Sequence, residues 1–459
     1  MKIGLERIMV KNMTEGKPLK LLFFFALPMV MGNLFQQLYN MVDSMVVGKF
    51  VGEDALAAVG SSFPVVFLAV AIASGLSMGC TVVISQLFGA GQILEMKTTI
   101  YTALITLLIV GVCIMAAGEI LASPLLKLLG TDPDIMIDSL TYLRIYFGGA
   151  IFLFLYNTLN GIYNALGDSN TPLKFLIAAA FINIGLDLLF VIVFNMGVAG
   201  VAWATLIAQG FCAIISFVVL MKRLRCMDNE PEFKDVKPDL YRRAAVTKIA
   251  KVGIPSIIQQ SIVSFSMMAM QGLVNSYGKV FVAGYTAATK IDTLSMMPNL
   301  NFSNAMSSYT AQNIGADKEE RVVEGYKACL LMVVVFSVVV TGIIFLFGPQ
   351  LMGLFLDAGA AGSAMSYGLK YMKTVSVFYT VMGLMFVSNG LLRGAGDMNA
   401  FLGSSMINLF SRVIIAYTMS HFIGEAAIWW SIPIGWCIGA VISFTRIRSG
   451  KWKEKKIIK

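Results

Sequence analysis

Charge is scarce in this chain of 459 residues: Asp, Glu, Lys and Arg together make up 13% of it, against 57% hydrophobic residues. A soluble domain carries about 25% charged residues. The deficit, with a mean hydropathy of +0.77, excludes an ordinary soluble globule and requires an integral membrane protein. Histidine occurs once, at His421, near the outer end of an apolar run, where a surface role fits better than a proton relay. The six cysteines, Cys80, Cys113, Cys212, Cys226, Cys329 and Cys437, have no paired spacing and lie mostly inside apolar runs, which argues against a disulfide framework or a zinc site. A G-x-x-x-x-G-K-[ST] phosphate loop is missing, and the longest polar segment is too short for a nucleotide-binding domain. Transport by this chain alone would therefore draw on an ion gradient. No filter-like loop suggests a channel, and no acid and base pair beside a nucleophile. An enzyme is not expected, nor a cofactor.

What the chain has in abundance is apolar runs of spanning length. A bilayer core takes roughly 20 apolar residues per helix, and twelve segments qualify, at about 19–47, 54–88, 95–118, 138–166, 171–195, 198–221, 248–276, 283–313, 325–348, 366–392, 398–420 and 426–446. They are too long and too continuously apolar for membrane strands. The basic residues ahead of the first run are followed by no A-x-A-like cleavage site, so that run is kept as a span. With a cytoplasmic N-terminus, 27 of the 35 Lys and Arg fall on the cytoplasmic side, nine of them between Lys222 and Lys251 and seven from Arg446 to Lys459. The positive-inside rule then places both termini in the cytoplasm; the plasma membrane is the expected location. The net charge of +9 is a topology signal, and no nucleic-acid partner is implied.

The segment from Lys222 to Lys248 interrupts the apolar runs near the midpoint. On either side the sequence repeats itself. "LPMVMGNLFQQ" from Leu27 is similar to "IPSIIQQSIVS" from Ile254, "SQLFGAG" from Ser85 to "AQNIGAD" from Ala311, and "NGIYNALGD" from Asn160 to "NGLLRGAGD" from Asn389, at offsets of 226 to 229 residues. A duplicated six-helix unit follows. Six is even, so both copies have the same orientation, related by a pseudo-two-fold axis along the membrane normal. The expected architecture is all-α: an N-terminal lobe at 1–221, a cytoplasmic linker at 222–247 and a C-terminal lobe at 248–459.

Polar residues inside these runs mark candidate function. On the first, Asn33, Gln36 or Gln37, Asn40 and Asp43 or Ser44 recur at steps of three and four and share one helix face. A charge at mid-bilayer costs from about 2.5 kcal/mol upward, so this stripe has to face protein or water. In the fifth run Asn183 and Asp187 stand at i and i+4, and Thr205 of the sixth lies at a comparable depth. Two carboxylates with amide and hydroxyl oxygens suit a small monovalent cation or a shared proton. Polar contacts between packed helices are the competing explanation. In the eighth run Lys290 and Asp292 are two apart and point apart; Asp292 is either paired, with Arg412 a candidate, or a second titratable site. The 29 methionines and 11% aromatics could furnish a deformable pocket for varied amphiphiles, although ordinary membrane packing explains most of them.

Taken together, the twelve runs in two similar halves, "QQLYNMVDSMVVG", "NIGLD" and the two Asn-Gly helix ends resemble the multidrug and toxic compound extrusion (MATE) family along the whole chain, in its DinF-type branch. The resemblance implies an ion-coupling site at Asp43, Asn183, Asp187 and Thr205 for Na+ or H+. It also implies a substrate cavity involving Gln36, Asn40, Tyr142, Asn157 and Asn160, and a monomeric antiporter, among membrane lipids, that exports cationic or amphiphilic organic compounds. A related flippase for lipids or lipid-linked oligosaccharides is the alternative. The NorM-type branch places carboxylates on the seventh and tenth helices. Here the seventh has Ser261, Ser264 and Gln271, and the tenth has none before Asp397. Through the repeat, Asp43 corresponds to Met270, Asn183 to Arg412 and Asp187 to Ala416. Ion chemistry is expected in the first half.

Overall fold

Inside a bilayer the backbone has no water to bond, so apolar runs of this length close their hydrogen bonds within helices. In the computed structural model, which describes residues 12–228, 237–356 and 361–458, fourteen α-helices form and no strand is present among the described residues. They are α1 (Pro18–Val46), α2 (Glu53–Gly89), α3 (Ile93–Leu128), α4 (Met136–Gly148), α5 (Ala150–Ala165), α6 (Asn170–Leu188), α7 (Gly197–Asp228), α8 (Arg243–Asn275), α9 (Lys279–Gly315), α10 (Glu319–Gly353), α11 (Ala361–Ser376), α12 (Tyr379–Ala395), α13 (Met398–Ile423) and α14 (Ala426–Arg448). Basic residues at 2, 7 and 11 and the stretch 229–236 of the expected linker lie outside the described residues.

Nine helices among the described residues are long and apolar enough to cross a membrane. The α4–α5 and α11–α12 pairs each bend by 52° at a short break, and counting each pair as one span gives eleven. The remaining element, α9, has 37 residues, ample for a crossing, but its inner half is polar. Asn299, Asn301, Ser307, Ser308, Gln312 and Asn313 are all buried there, so this polarity faces protein and lowers hydropathy without exposing anything to lipid. With α9 the helical segments match the twelve expected runs in order.

The chain forms two compact units. Unit 1 contains Met31–Ile257, and unit 2 contains Met13–Val30 with Ile258–Lys459. The division therefore passes through α1 and α8, each just after an internal proline, Pro28 and Pro255. In unit 1, α2 and α3 pack on α5, and α7 on α4, α5 and α6; in unit 2, α9 packs on α10, α11 and α12, and α14 on α12 and α13.

The repeated motifs pack closely and alike in the two units. Ser77 Oγ donates to the Asn157 carbonyl at 2.6 Å, and Ser303 Oγ donates to the Phe386 carbonyl at 2.6 Å, the same bond in each unit. Beside them a Cβ on Gly161 would lie 2.5 Å from Ser77 Oγ, and one on Gly390 would strike the Ser303 carbonyl, so only glycine lets the backbones approach. The motifs end in Gly167 and Gly396, with φ of +77° and +90°. The aspartates that follow are anchored by arginines, Asp168 by Arg223 at 2.7 Å and Asp397 by Arg446 at 2.6 Å. These Gly-Asp pairs terminate helices.

Candidate functional site

Two π-helical turns position the site in unit 1. The last α-turn of α1 runs into a π turn at Val47–Val51, and that of α6 into another at Leu189–Val193. The two π turns touch each other, and each packs on α7. Val46, Val47, Ala55, Val191, Val198 and Val201 form the small apolar cluster that joins them. Ends of α1, α6 and α7 are thereby drawn together, and Asp43, Asn183, Asp187 and Thr205 lie just within them. Isolated π turns of this kind are frequent at functional sites.

Asn183 and Asp187 are essentially inaccessible, Thr205 is buried and Asp43 is partly accessible. The Asn183 amide is the hub. Its nitrogen belongs on the carboxylate side, because an oxygen there would meet only other acceptors. So oriented, it donates to Asp43 Oδ1 at 2.9 Å and to Asp187 Oδ2 at 3.2 Å. Its oxygen then accepts from Thr205 Oγ1 at 3.3 Å and from the Thr205 backbone amide at 3.2 Å. The two carboxyl groups are themselves within hydrogen-bonding reach of each other, and Tyr39 reaches both Asp43 and Thr205. Asp187 Oδ1 is buried with no hydrogen-bond partner among the described residues. Two carboxyl groups on one amide repel each other when both are charged, and a shared proton or cation would relieve that repulsion. One amide, one threonine hydroxyl and two carboxyl groups form a hard-oxygen set of low total charge, which suits a monovalent ion. Among the described residues no group of three or more His, Cys, Asp or Glu could hold a metal ion.

The residues expected to line a cavity divide differently. Tyr142 joins the acid cluster: it feels the charge of both Asp43 and Asp187, packs on the valine cluster and stacks on Tyr146 at 6.3 Å between ring centroids. Gln36 and Asn40 are exposed on α1, and Asn40 bonds Gln37 at 3.4 Å. Asn157 is occupied with helix contacts, donating to the Leu153 carbonyl at 2.9 Å and accepting from Ser74 at 3.4 Å. Asn160 lies one helical turn after Tyr156 and half-buried on α5. Neither of these α5 asparagines is among the groups bonded to the acid cluster.

Tyr39 is the neighbour of the acid cluster that sequence reasoning missed. Its signal was present, since it stands four residues before Asp43 and so on the same face of α1. The tyrosines around Asp292 in unit 2 were missed as well. Asp292 is buried; Tyr371 donates to its Oδ2 at 2.9 Å and Tyr379 to its Oδ1 at 2.6 Å. The positive charge of Arg412 acts on both Asp292 and Tyr285. Lys290 points elsewhere, its Nζ over the Phe355 ring at 5.5 Å.

Comparison with known proteins adds three findings. The sequence model of the MatE family matches residues 28–189 and 255–418, once in each half. The probable multidrug resistance protein YpnP of Bacillus subtilis (strain 168) is 31% identical over 450 residues, covering 97% of this chain and 98% of that protein. Among solved structures, a MOP superfamily transporter from Pyrococcus furiosus, whose binding pocket is described as having reverse polarity, superposes with a TM-score of 0.87 at 26% identity, covering 96% of this chain and 98% of that one. A multidrug resistance MATE family transporter in an outward-facing conformation also gives 0.87 at 26% identity, covering 97% and 99%.

Proposed function

We propose that this chain, which belongs to the MatE family of multidrug efflux transporters, exports cationic or amphiphilic organic compounds in exchange for Na+ or H+ bound at Asp43, Asn183, Asp187 and Thr205. The observation that carries the reading is the single Asn183 amide shared between two carboxyl groups. One amide between two acids, with Tyr39 on the Asp43 side, leaves the pair short of positive charge. Desolvating it empty is costly, and supplying one proton or one Na+ removes both the repulsion and the unpartnered acceptor at Asp187 Oδ1.

Coupling then follows from differential affinity. A conformation that closes over the cluster is favoured when the ion is bound, and one that admits water is favoured when it is empty. To swing such an equilibrium from 1:99 to 99:1 the ion must bind one state about 10⁴-fold more tightly, about 5.5 kcal/mol. Tyr39 and Tyr142 complete the wall of the cluster with groups that offer hydroxyls to an ion and aromatic faces to an organic cation. Gln36 and Asn40, exposed on the same helix, extend that wall toward the solute. Both termini are assigned to the cytoplasm by the Lys and Arg distribution, and one chain supplies both units, so a monomer suffices.

The test is flux of a fluorescent organic cation in proteoliposomes with Na+ and pH gradients imposed separately. Uptake or efflux that follows one gradient and is lost in Asp187→Asn supports the reading. Equal flux with no gradient, or movement of labelled lipid in place of the cation, sinks it.

A further inference from the structure

The duplication extends to the segments that lead into α1 and α8, and there the two units have exchanged parts. The inner stretch of α1, up to Val30, belongs to unit 2, and the inner stretch of α8, up to Ile257, belongs to unit 1. Val30 and Ile257 are 227 residues apart, which is the repeat offset, so the crossover falls at the same place in both copies.

In unit 2 the lead-in to α1 is fastened through its main chain. The Met13 amide donates to Gln312 Oε1 at 2.9 Å, and the Met13 carbonyl accepts from Asn313 Nδ2 at 3.3 Å. Lys318 Nζ donates to the Thr14 carbonyl at 3.2 Å, and Arg321 Nη2 to the Gly16 carbonyl at 2.9 Å. Met13, Gln312 and Asn313 are fully buried, and so are Leu22 and Ala26 on the helix that follows. A non-helical segment needs partners for its peptide groups, and here the end of α9 and the start of α10 supply them.

In unit 1 the lead-in to α8 is fastened in the same manner. The Asp239 amide donates to Thr98 Oγ1 at 3.1 Å and the Arg242 amide to Thr102 Oγ1 at 3.0 Å, two buried hydroxyls one turn apart on α3. The Arg242 guanidinium bonds Glu95 in the first turn of α3. The helix that follows then lies against α2, backbone on backbone: a Cβ on Gly79 would be 2.5 Å from the Ile249 carbonyl, and one on Gly75 would be 2.7 Å from the Ile257 nitrogen. Glu95 and Arg321 are 226 residues apart, so one repeat position in the first turn of α3 and of α10 grips a lead-in segment in each unit, with opposite charge.

We propose that residues 13–16 and 239–242 are reciprocal anchors: each fastens the inner stretch of its own half's first helix to the unit built by the other half, and both stay fastened through the transport cycle. The inner stretch of α1 then moves with unit 2 and that of α8 with unit 1. The inference goes beyond the ion chemistry of the acid cluster and does not depend on whether Na+ or H+ is exchanged; only the word cycle rests on the transport reading.

Persistence is tested by cross-linking the full-length protein after Cys113→Ser and Cys226→Ser have removed its two exposed thiols. Met13→Cys with Gln312→Cys spans the first anchor, and Asp239→Cys with Thr98→Cys spans the second. Both pairs should close with a short reducible cross-linker, and the cross-linked protein should carry a fluorescent organic cation in proteoliposomes as fast as the same protein after reduction. Flux lost on cross-linking and restored by reduction would make the segment a gate that has to open, and a pair that does not close would mean a segment held elsewhere; either result overturns the proposal. Flux absent before cross-linking counts against the transport reading, and hydrogen–deuterium exchange, which needs no flux, then decides on the anchors. Gln312→Ala with Arg321→Ala should speed exchange about tenfold at residues 13–22, as loss of ordinary hydrogen bonds predicts, and leave residues 31–46 at the wild-type rate. Glu95→Ala with Thr98→Ala and Thr102→Ala should do the same at residues 239–249 and spare residues 258–275. Unchanged rates in the inner stretches, or equal acceleration on both sides of the crossover, would overturn it.

Discussion

Asp187 and Asp292 are both buried aspartates on membrane helices of one duplicated plan, yet their oxygens are used in opposite ways. Asp187 shares an amide with a second carboxyl and leaves Oδ1 without a partner. Asp292 gives one oxygen to each of two tyrosines, and the positive charge of Arg412 acts on it. A buried acid that is fully satisfied by its own protein is a structural element, since no visiting ion improves it. One that is left short by its own protein can be completed only by something that comes and goes. Under the proposed reading, the unit that holds Asp187 would respond to an ion, and the unit that holds Asp292 would serve as a frame.

Breaking the first side of this contrast should have the largest effect. Asp187→Asn supplies neutrality without an ion, so gradient-driven export should fall to background while the thermal midpoint stays close to wild type; flux and melting measured on the same preparation check this. Asp43→Asn, on the more accessible partner, should abolish net efflux yet leave substrate binding, whose affinity then loses its dependence on Na+ and pH. A binding series across both variables tests it, and retained dependence would reduce Asp43 to packing polarity.

On the second side the expected loss is one of stability. Tyr379→Phe removes the 2.6 Å donor to Asp292 and leaves a buried acceptor short, a cost of about 1–3 kcal/mol. A lowered midpoint with unchanged ion dependence of transport is the expected pair of results; altered ion dependence would mean that unit 2 takes part in coupling. Gly161→Ala and Gly390→Ala probe the shared frame, and each should cost about 1–3 kcal/mol by overpacking the same serine contact. A large difference between the two would show that the units do not carry that contact equally. The smallest effect is expected for Gln271→Ala, whose side chain bonds only Asn275, at 2.8 Å on an exposed face. A midpoint within about 0.5 kcal/mol of wild type and near-normal export should result.

The order of the spans was legible because hydropathy reports burial in lipid directly, and the repeat offsets confirmed their pairing. The meeting of Asn183 with Asp187 was legible because i and i+4 neighbours need no knowledge of the fold. Their meeting with Asp43 and Thr205 came through the family resemblance. The bends within the fourth and tenth spans were not legible, since a break of one or two apolar residues leaves a hydropathy profile unchanged. Nor were the tyrosines of Asp292: Tyr371 and Tyr379 lie 79 and 87 residues away along the chain, and only tertiary packing brings them in. Asn157, which the family resemblance assigns to a cavity, has its side-chain bonds on the Leu153 carbonyl of its own helix and on Ser74 of α2.

The π turns after Asp43 and Asp187 also have a mechanical meaning. A π turn stores one residue more than the α-helix around it needs, and that surplus can pass along the helix by exchanging one hydrogen bond at a time. Each residue it passes is rotated by about 100° about the helix axis. Moving the Val47–Val51 turn back past Asp43 would swing the carboxyl away from Asn183 with no change in the length of α1 and no unfolding. Under the ion-exchange reading, a rotation of one helix segment by one residue would be enough to open and close the acid cluster.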